Sequence, residues 1–140
     1  IIPNDAFING TVRTLSKEAQ LLIVKRLKEL CKGYSRGFGG KIKLDYNYGY
    51  PPTVNHPRET KFAAEVAKEI VGEQNVDTSA KPIMASEDFS YMIEKRPGCY
   101  FHVGQGVGAA VHNPKYDFND ELSPIGASFF VKLVEKANPF

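Results

Sequence analysis

Hydrophobic and polar residues alternate at both ends of the first fifty positions and recur at helical spacing between them. From Ala6 to Leu15, Ala6, Ile8 and Val12 fall on one side and Thr11 and Arg13 on the other, which predicts a strand. Ser16 follows as a helix N-cap. Ala19, Leu22, Ile23, Leu27, Leu30 and Cys31 then form one stripe, predicting an amphipathic helix to about Lys32, ended by Gly33, Gly37, Gly39 and Gly40. Lys41 to Tyr48 alternates strictly, with Ile42, Leu44, Tyr46 and Tyr48 against Lys41, Lys43, Asp45 and Asn47, as a half-buried strand does. Strand, helix, strand is half of a split βαβ sandwich, and too thin to bury a core without a partner.

The pattern breaks at Tyr50-Pro51-Pro52-Thr53-Val54-Asn55-His56-Pro57. Its prolines prevent a helix and disfavour a central strand, so it marks a domain boundary. Beyond it, Arg58 to Val71 predicts a helix with Ala63, Val66, Ala67 and Ile70 on one face. Lys81 to Ala85 reads as a short buried strand, Ser86 as the cap of a helix from Glu87 to Glu94, and Cys99 to Val103 as another buried strand. The loop Gly104-Gln105-Gly106-Val107-Gly108 follows. Ser123-Pro124 opens a last helix carrying Phe129, Phe130, Leu133 and Val134, with Pro124 suited to its first position. Four helices are expected in all.

Composition changes this picture only at the margins. A chain of 140 residues suits one domain or two small lobes, and 42% hydrophobic with 24% charged residues is a globular balance. A net charge of +2, with no basic run, gives no footprint for nucleic acid or an anionic membrane. No apolar stretch is long enough to span a bilayer, and Ile1-Ile2-Pro3-Asn4-Asp5 lacks the features of a signal peptide, so a cytoplasmic location is expected. The chain opens without Met and runs at once into a strand pattern, which suggests a truncated piece. Cys31 and Cys99 belong to no C-x-x-C pair and are expected as two buried free thiols.

Candidate chemistry centres on the histidines. His56, in the proline-rich joint, is expected to be exposed or capping. His102, inside a predicted buried strand, is expected as a hydrogen-bonded core histidine. His112 follows a strand and a glycine loop, at the carboxyl end of a strand where open α/β sheets place ligands. Asn113-Pro114 fixes a turn there, and Asp117, Asn119, Asp120 and Glu121 add oxygen donors nearby. By spacing alone, a lone histidine is more often structural than a metal ligand. Glu87 and Asp88 complement the dipole of the helix they open; a carboxylate in that turn could also reach a metal or a substrate. Arg13 is either a solvated strand residue or a fork for a substrate carboxylate. Gly104-x-Gly106-x-Gly108 leads into no helix and is not a dinucleotide fingerprint.

Four motifs occur in order: Gly10-Thr11-Val12-Arg13-Thr14, Tyr50-Pro51-Pro52-Thr53-Val54-Asn55, Met84-Ala85-Ser86-Glu87-Asp88-Phe89-Ser90 and His112-Asn113-Pro114-Lys115-Tyr116-Asp117-Phe118-Asn119. Together they resemble the C-terminal part of the aminoacylase and carboxypeptidase-type metallohydrolases, in the branch of hippurate hydrolase and related N-acyl-amino-acid amidohydrolases. The resemblance implies an α+β fold. Residues 1–53 would be the second half of a ferredoxin-like lid and dimerisation domain, a strand-helix-strand lobe. Residues 54–140 would be the C-terminal part of an α/β dinuclear metallohydrolase catalytic domain. It implies cleavage of the amide of an N-acyl amino acid by water bound to two divalent metal ions, zinc or manganese, with a glutamate as base. His112 matches the last metal ligand of that family and Arg13 a substrate-carboxylate arginine; Glu87 is expected to contact either the substrate or the groups around the metal. Homo-oligomers through the lid and exposed apolar surfaces are implied as well. The family's Cys-Gly-His-Asp type motif, Glu-Glu pair and further histidine do not occur here. No complete catalytic set is therefore present, and the isolated chain is expected to be inactive and to hold no tightly bound metal. Two other readings stay open: a non-catalytic dimerisation or interaction module, and a stand-alone metal-binding protein using His112, Asp117 and Asp120.

Overall fold

The computed structural model describes residues 1–139, and these hold four α-helices: α1 (Lys17–Phe38), α2 (Pro57–Val71), α3 (Phe89–Lys95) and α4 (Leu122–Ala137). A 3₁₀ turn, Glu73–Asn75, follows α2. The chain forms two compact units, Ile1–Thr53 with Pro82–Tyr91, and Val54–Lys81 with Met92–Phe140.

Among the described residues there is no β-strand, which corrects the expected α+β architecture with its strand-helix-strand lid lobe and α/β remainder. Alternation states which side chains a strand would bury, whereas the strand itself is made by a ladder of backbone hydrogen bonds to a neighbour. Residues 6–15, 41–48, 81–85 and 99–103 carry the pattern. Among the described residues, no backbone hydrogen bond joins any of these segments to another. The periodicity survives only as burial: Leu44 and Tyr46 turn partly inward while Lys43 and Asp45 stay exposed.

In the first unit, Ser16 caps α1 from an extended conformation, its Oγ accepting the Ala19 N–H at 3.1 Å. The helix does not end near Lys32 as the glycines suggest. It runs through Gly33 and Gly37 and stops at Gly39, whose φ of 70° is the left-handed geometry of a C-cap. A glycine inside a helix weakens it by about 1 kcal/mol but does not forbid it. The rings of Tyr34 and Phe38, one turn apart, stack at 6.0 Å along the added turns. Ser35 Oγ accepts the Ile42 N–H at 3.0 Å, tying the chain that leaves α1 back to the helix. Val24 is buried, and Ile23, Leu27 and Cys31 are half-buried beside it. Leu22 and Leu30, expected on the inward face, are exposed, and with Tyr34 and Phe38 they line an outward apolar stripe.

In the second unit α2 packs on α4. Ala63, Val66 and Phe129 form the buried centre, with Phe62, Ala67, Ile70, Cys99 and Leu133 around it. Glu69 on α2 pairs with Lys136 and lies 4.0 Å from Lys132, both on α4. α4 begins at Leu122, so Pro124 is its third residue. First-turn amides have no intrahelical acceptor, and a proline there leaves no bond unmade. Asn119 sets up this start: its Oδ1 accepts the Glu121 N–H at 3.1 Å and its C=O the Leu122 N–H at 3.0 Å.

α3 starts two residues later than the expected Glu87, and Ser86 is not its cap. The Glu87 carbonyl does that work instead, accepting the Ser90 N–H at 3.3 Å and the Ser90 hydroxyl at 2.7 Å, with Ser90 fully buried. Cys31 and Cys99 are free thiols, half-buried rather than buried. No helix among the described residues is long and apolar enough to cross a membrane.

Candidate functional site

The segment leading to His112 is held by the residues just before α2. Asn55 Nδ2–H donates to the Tyr100 carbonyl at 2.7 Å, and Asn55 Oδ1 accepts the Tyr100 N–H at 2.8 Å. The His56 N–H donates to the Gly98 carbonyl at 3.1 Å, and His56 Nδ1 lies 3.2 Å from the Gly98 N and 3.4 Å from its carbonyl oxygen. His56 occupies the N-cap position of α2 without a side-chain capping bond, and its carbonyl accepts the Thr60 N–H and hydroxyl at 2.9 and 2.8 Å. It is half-buried and bound to a neighbouring segment, not simply exposed.

Residues 99–102 put successive side chains on opposite sides. Cys99 packs on the core, and the Phe101 ring lies 4.5 Å from that of Phe129. Tyr100 and His102 meet each other edge-on at 5.2 Å. His102 is exposed, not the core histidine expected: Cys99 takes the place against the core, and Phe101 and Val103 on either side of His102 are exposed as well.

His112 lies on the turn after the glycine loop, exposed, with φ of 70°. Left-handed backbone is uncommon outside glycine. Flanking hydrogen bonds hold it there. The Asn113 N–H donates to the Ala110 carbonyl at 3.1 Å, Asn113 Oδ1 accepts the Lys115 N–H at 2.9 Å, and the Asn113 carbonyl accepts the Tyr116 N–H at 2.9 Å. Gln105 ties the loop to the stretch beyond, donating to the Asp117 carbonyl at 3.3 Å and accepting the Tyr116 hydroxyl at 3.2 Å.

Arg13 and Glu87 belong to the first unit and His112 to the second. Arg13 is exposed and Glu87 half-buried, its carboxylate 3.4 Å from the Phe89 N–H that it accepts in the first turn of α3. A shallow groove of about 380 Å³ runs between Cys31 of α1 and Ile42–Leu44, rimmed by Lys28, Lys32 and Arg36; neither Arg13 nor Glu87 lines it.

No three His, Cys, Asp or Glu side chains among the described residues converge to hold a metal ion. His112, Asp117 and Asp120, expected together in the stand-alone reading, do not form such a group among the described residues. One exposed imidazole does not fit a pair of divalent ions, so His112 can be at most one member of a larger donor set. Sequence reasoning passed over Asn55, which it placed in a motif without a role. Its available signal was an Asn just ahead of a helix start, where side-chain amides bond to nearby backbone.

Residues 4–136 match the model of peptidase family M20/M25/M40. Among curated proteins, the chain is 37% identical over 136 residues to hippurate hydrolase of Campylobacter jejuni, covering 97% of this chain and 36% of that enzyme. It is 32% identical over 136 residues to N-acetyldiaminopimelate deacetylase of Streptococcus sanguinis, covering 96% and 36%. It is 32% identical over 142 residues to the deacetylase of the same name from Streptococcus suis, covering 99% and 37%. The chain thus spans little more than a third of the length of these relatives. No solved structure matches it significantly. The family match runs through all four motifs and nearly the whole sequence: the chain belongs to peptidase family M20/M25/M40, a family of hydrolases that includes amidohydrolases.

Proposed function

We propose that the chain is a portion of a metal-dependent amidohydrolase that cleaves the amide of N-acyl amino acids. The observation that carries this is the family match over residues 4–136, joined to relatives named for hydrolysing hippurate and deacetylating N-acetyldiaminopimelate. His112 would supply one ligand to one of two divalent ions, zinc or manganese. The remaining ligands and the general base would come from residues outside this sequence. Arg13 would grip the substrate carboxylate through its planar fork, and Glu87 would contact the substrate. By itself the chain has too few donors to build the site, and we expect it to be inactive as an amidohydrolase.

The test is a hybrid enzyme in which this chain replaces the aligned segment of the Campylobacter hippurate hydrolase. It should hydrolyse N-benzoyl or N-acetyl amino acids in a metal-dependent way, while the 140-residue chain alone does not. Groups that merely orient metal ligands cost about 10–100-fold when removed, so loss of a ligand should cost at least that. His112→Ala in the hybrid should therefore abolish turnover and lower its metal content. Unchanged turnover in that variant would sink the assignment.

A second reading, a self-associating module, is supported by the outward stripe of Leu22, Leu30, Tyr34 and Phe38 on α1. Large exposed apolar patches mark interaction surfaces.

A further inference from the structure

We propose that Asn55 is a positioning residue for the His112 turn, its side chain making to Tyr100 the paired bonds that a neighbouring strand would make. This rests on the reading of His112 as a metal ligand.

The reciprocal pair between Asn55 and Tyr100, at 2.7 and 2.8 Å, has the form of the two-bond exchange between residues facing each other on antiparallel strands. Here one member is a side-chain amide. His56 adds the equivalent pair at Gly98, using its backbone N–H and Nδ1. Residues 55 and 56 thus meet the N–H and C=O of both Gly98 and Tyr100, across 42 to 45 positions of sequence.

This arrangement has consequences for register. Along residues 99–102, Cys99 and Phe101 face Phe129, Phe101 while still 38% exposed, and the half-buried Tyr100 meets the exposed His102 edge-on. A slip of one residue would exchange the two sets. No strand ladder among the described residues holds the segment, so the Asn55 and His56 pairs distinguish one register from the other. Asn55 stands immediately before His56, the N-cap of α2, and the α2–α4 pair carries the core of this unit. The segment is therefore fixed relative to that core before it enters the glycine loop and reaches His112.

Asn is chemically required here. The site needs a donor and an acceptor on one short side chain. Asp would keep the acceptor for the Tyr100 N–H but would set a second acceptor against the Tyr100 carbonyl. Ala would offer neither.

The first test uses the chain itself. Amide hydrogen exchange at Tyr100 should speed up by about tenfold or more in Asn55→Ala, which removes the acceptor of that amide, the order expected for losing two hydrogen bonds. The second uses the hybrid enzyme. Small displacements of a reacting group cost up to about a hundredfold in rate. Asn55→Asp should therefore lower kcat by about tenfold or more and leave KM within about twofold.

Val66→Ala, which weakens the same unit without touching the 55–100 pair, controls for folding. It should leave kcat unchanged at a temperature where it remains folded. Unchanged Tyr100 exchange in Asn55→Ala would overturn the pairing. Faster exchange with unchanged kcat, or an equal loss of kcat in Val66→Ala, would reduce Asn55 to a structural residue and overturn the positioning role. If His112→Ala leaves the hybrid active, the reading of His112 fails instead, and the exchange result for Asn55 still stands.

Discussion

At the scale of single residues, the start of α1 is held by the Ser16 hydroxyl. Its Oγ accepts the Ala19 N–H at 3.1 Å. The backbone N–H of Glu18 and then the Ser16 hydroxyl hold the Glu18 carboxyl below its usual range. Replacing a serine cap by alanine costs about 1 kcal/mol. Ser16→Ala should lower the helical unfolding midpoint by circular dichroism and move the Glu18 titration back toward that of an ordinary glutamate by NMR. A Glu18 titration that ignores the substitution would discount the hydroxyl. The cap was legible in the sequence because its chemistry is local. His102 was not, because its exposure depends on which side of residues 99–102 meets Phe129, and that choice is made 28 positions away.

At the scale of elements, the four helices were legible and the strands were not. Helical hydrogen bonds close within four residues, so Ala63, Val66 and Ile70 could declare α2 by spacing alone. A strand needs a partner that spacing cannot name, and residues 6–15 and 41–48 carry the pattern without the ladder. The end of α1 was misread for a different reason: several glycines compete for one C-cap, and only Gly39 takes the left-handed conformation. Gly33 and Gly37 sit in the helix interior, with open space where a Cβ would go. Gly33→Ala with Gly37→Ala should stabilise α1 by about 1–2 kcal/mol, read as a higher thermal midpoint; a lower midpoint would mean that those positions need bare backbone. Glu69 offers a pH test of the α2–α4 joint. Its hydrogen bond from Lys136 holds its carboxyl below the usual range, and Lys68 does the same for Glu73. A lowered carboxyl stabilises the folded state above its unfolded value, and that support is lost as pH falls through the folded value. Thermal stability should therefore decline on acidification below the ordinary glutamate range, less steeply in Glu69→Gln. Added salt should weaken this exposed joint as well.

At the scale of the whole molecule, the buried apolar side chains among the described residues are few: Val24, Ala63, Val66, Ile93 and Phe129. The outward stripe of α1 stands against that small interior. Static light scattering should report association that grows with concentration, and Leu30→Glu with Phe38→Glu should reduce it. A concentration-independent monomer would rule out the stripe as a contact surface. The pairing of α2 with α4 has a consequence in time. Residues 72–121 separate the two helices. Synthesis proceeds at about 5–20 residues per second. On a ribosome, α2 would therefore wait roughly 3 to 10 seconds before its partner exists. Throughout that interval Ala63, Val66 and Ile70 present a bare apolar face to solvent or to any chaperone within reach. The order of translation, not the strength of the finished core, then sets when this chain is most exposed to capture and misassembly.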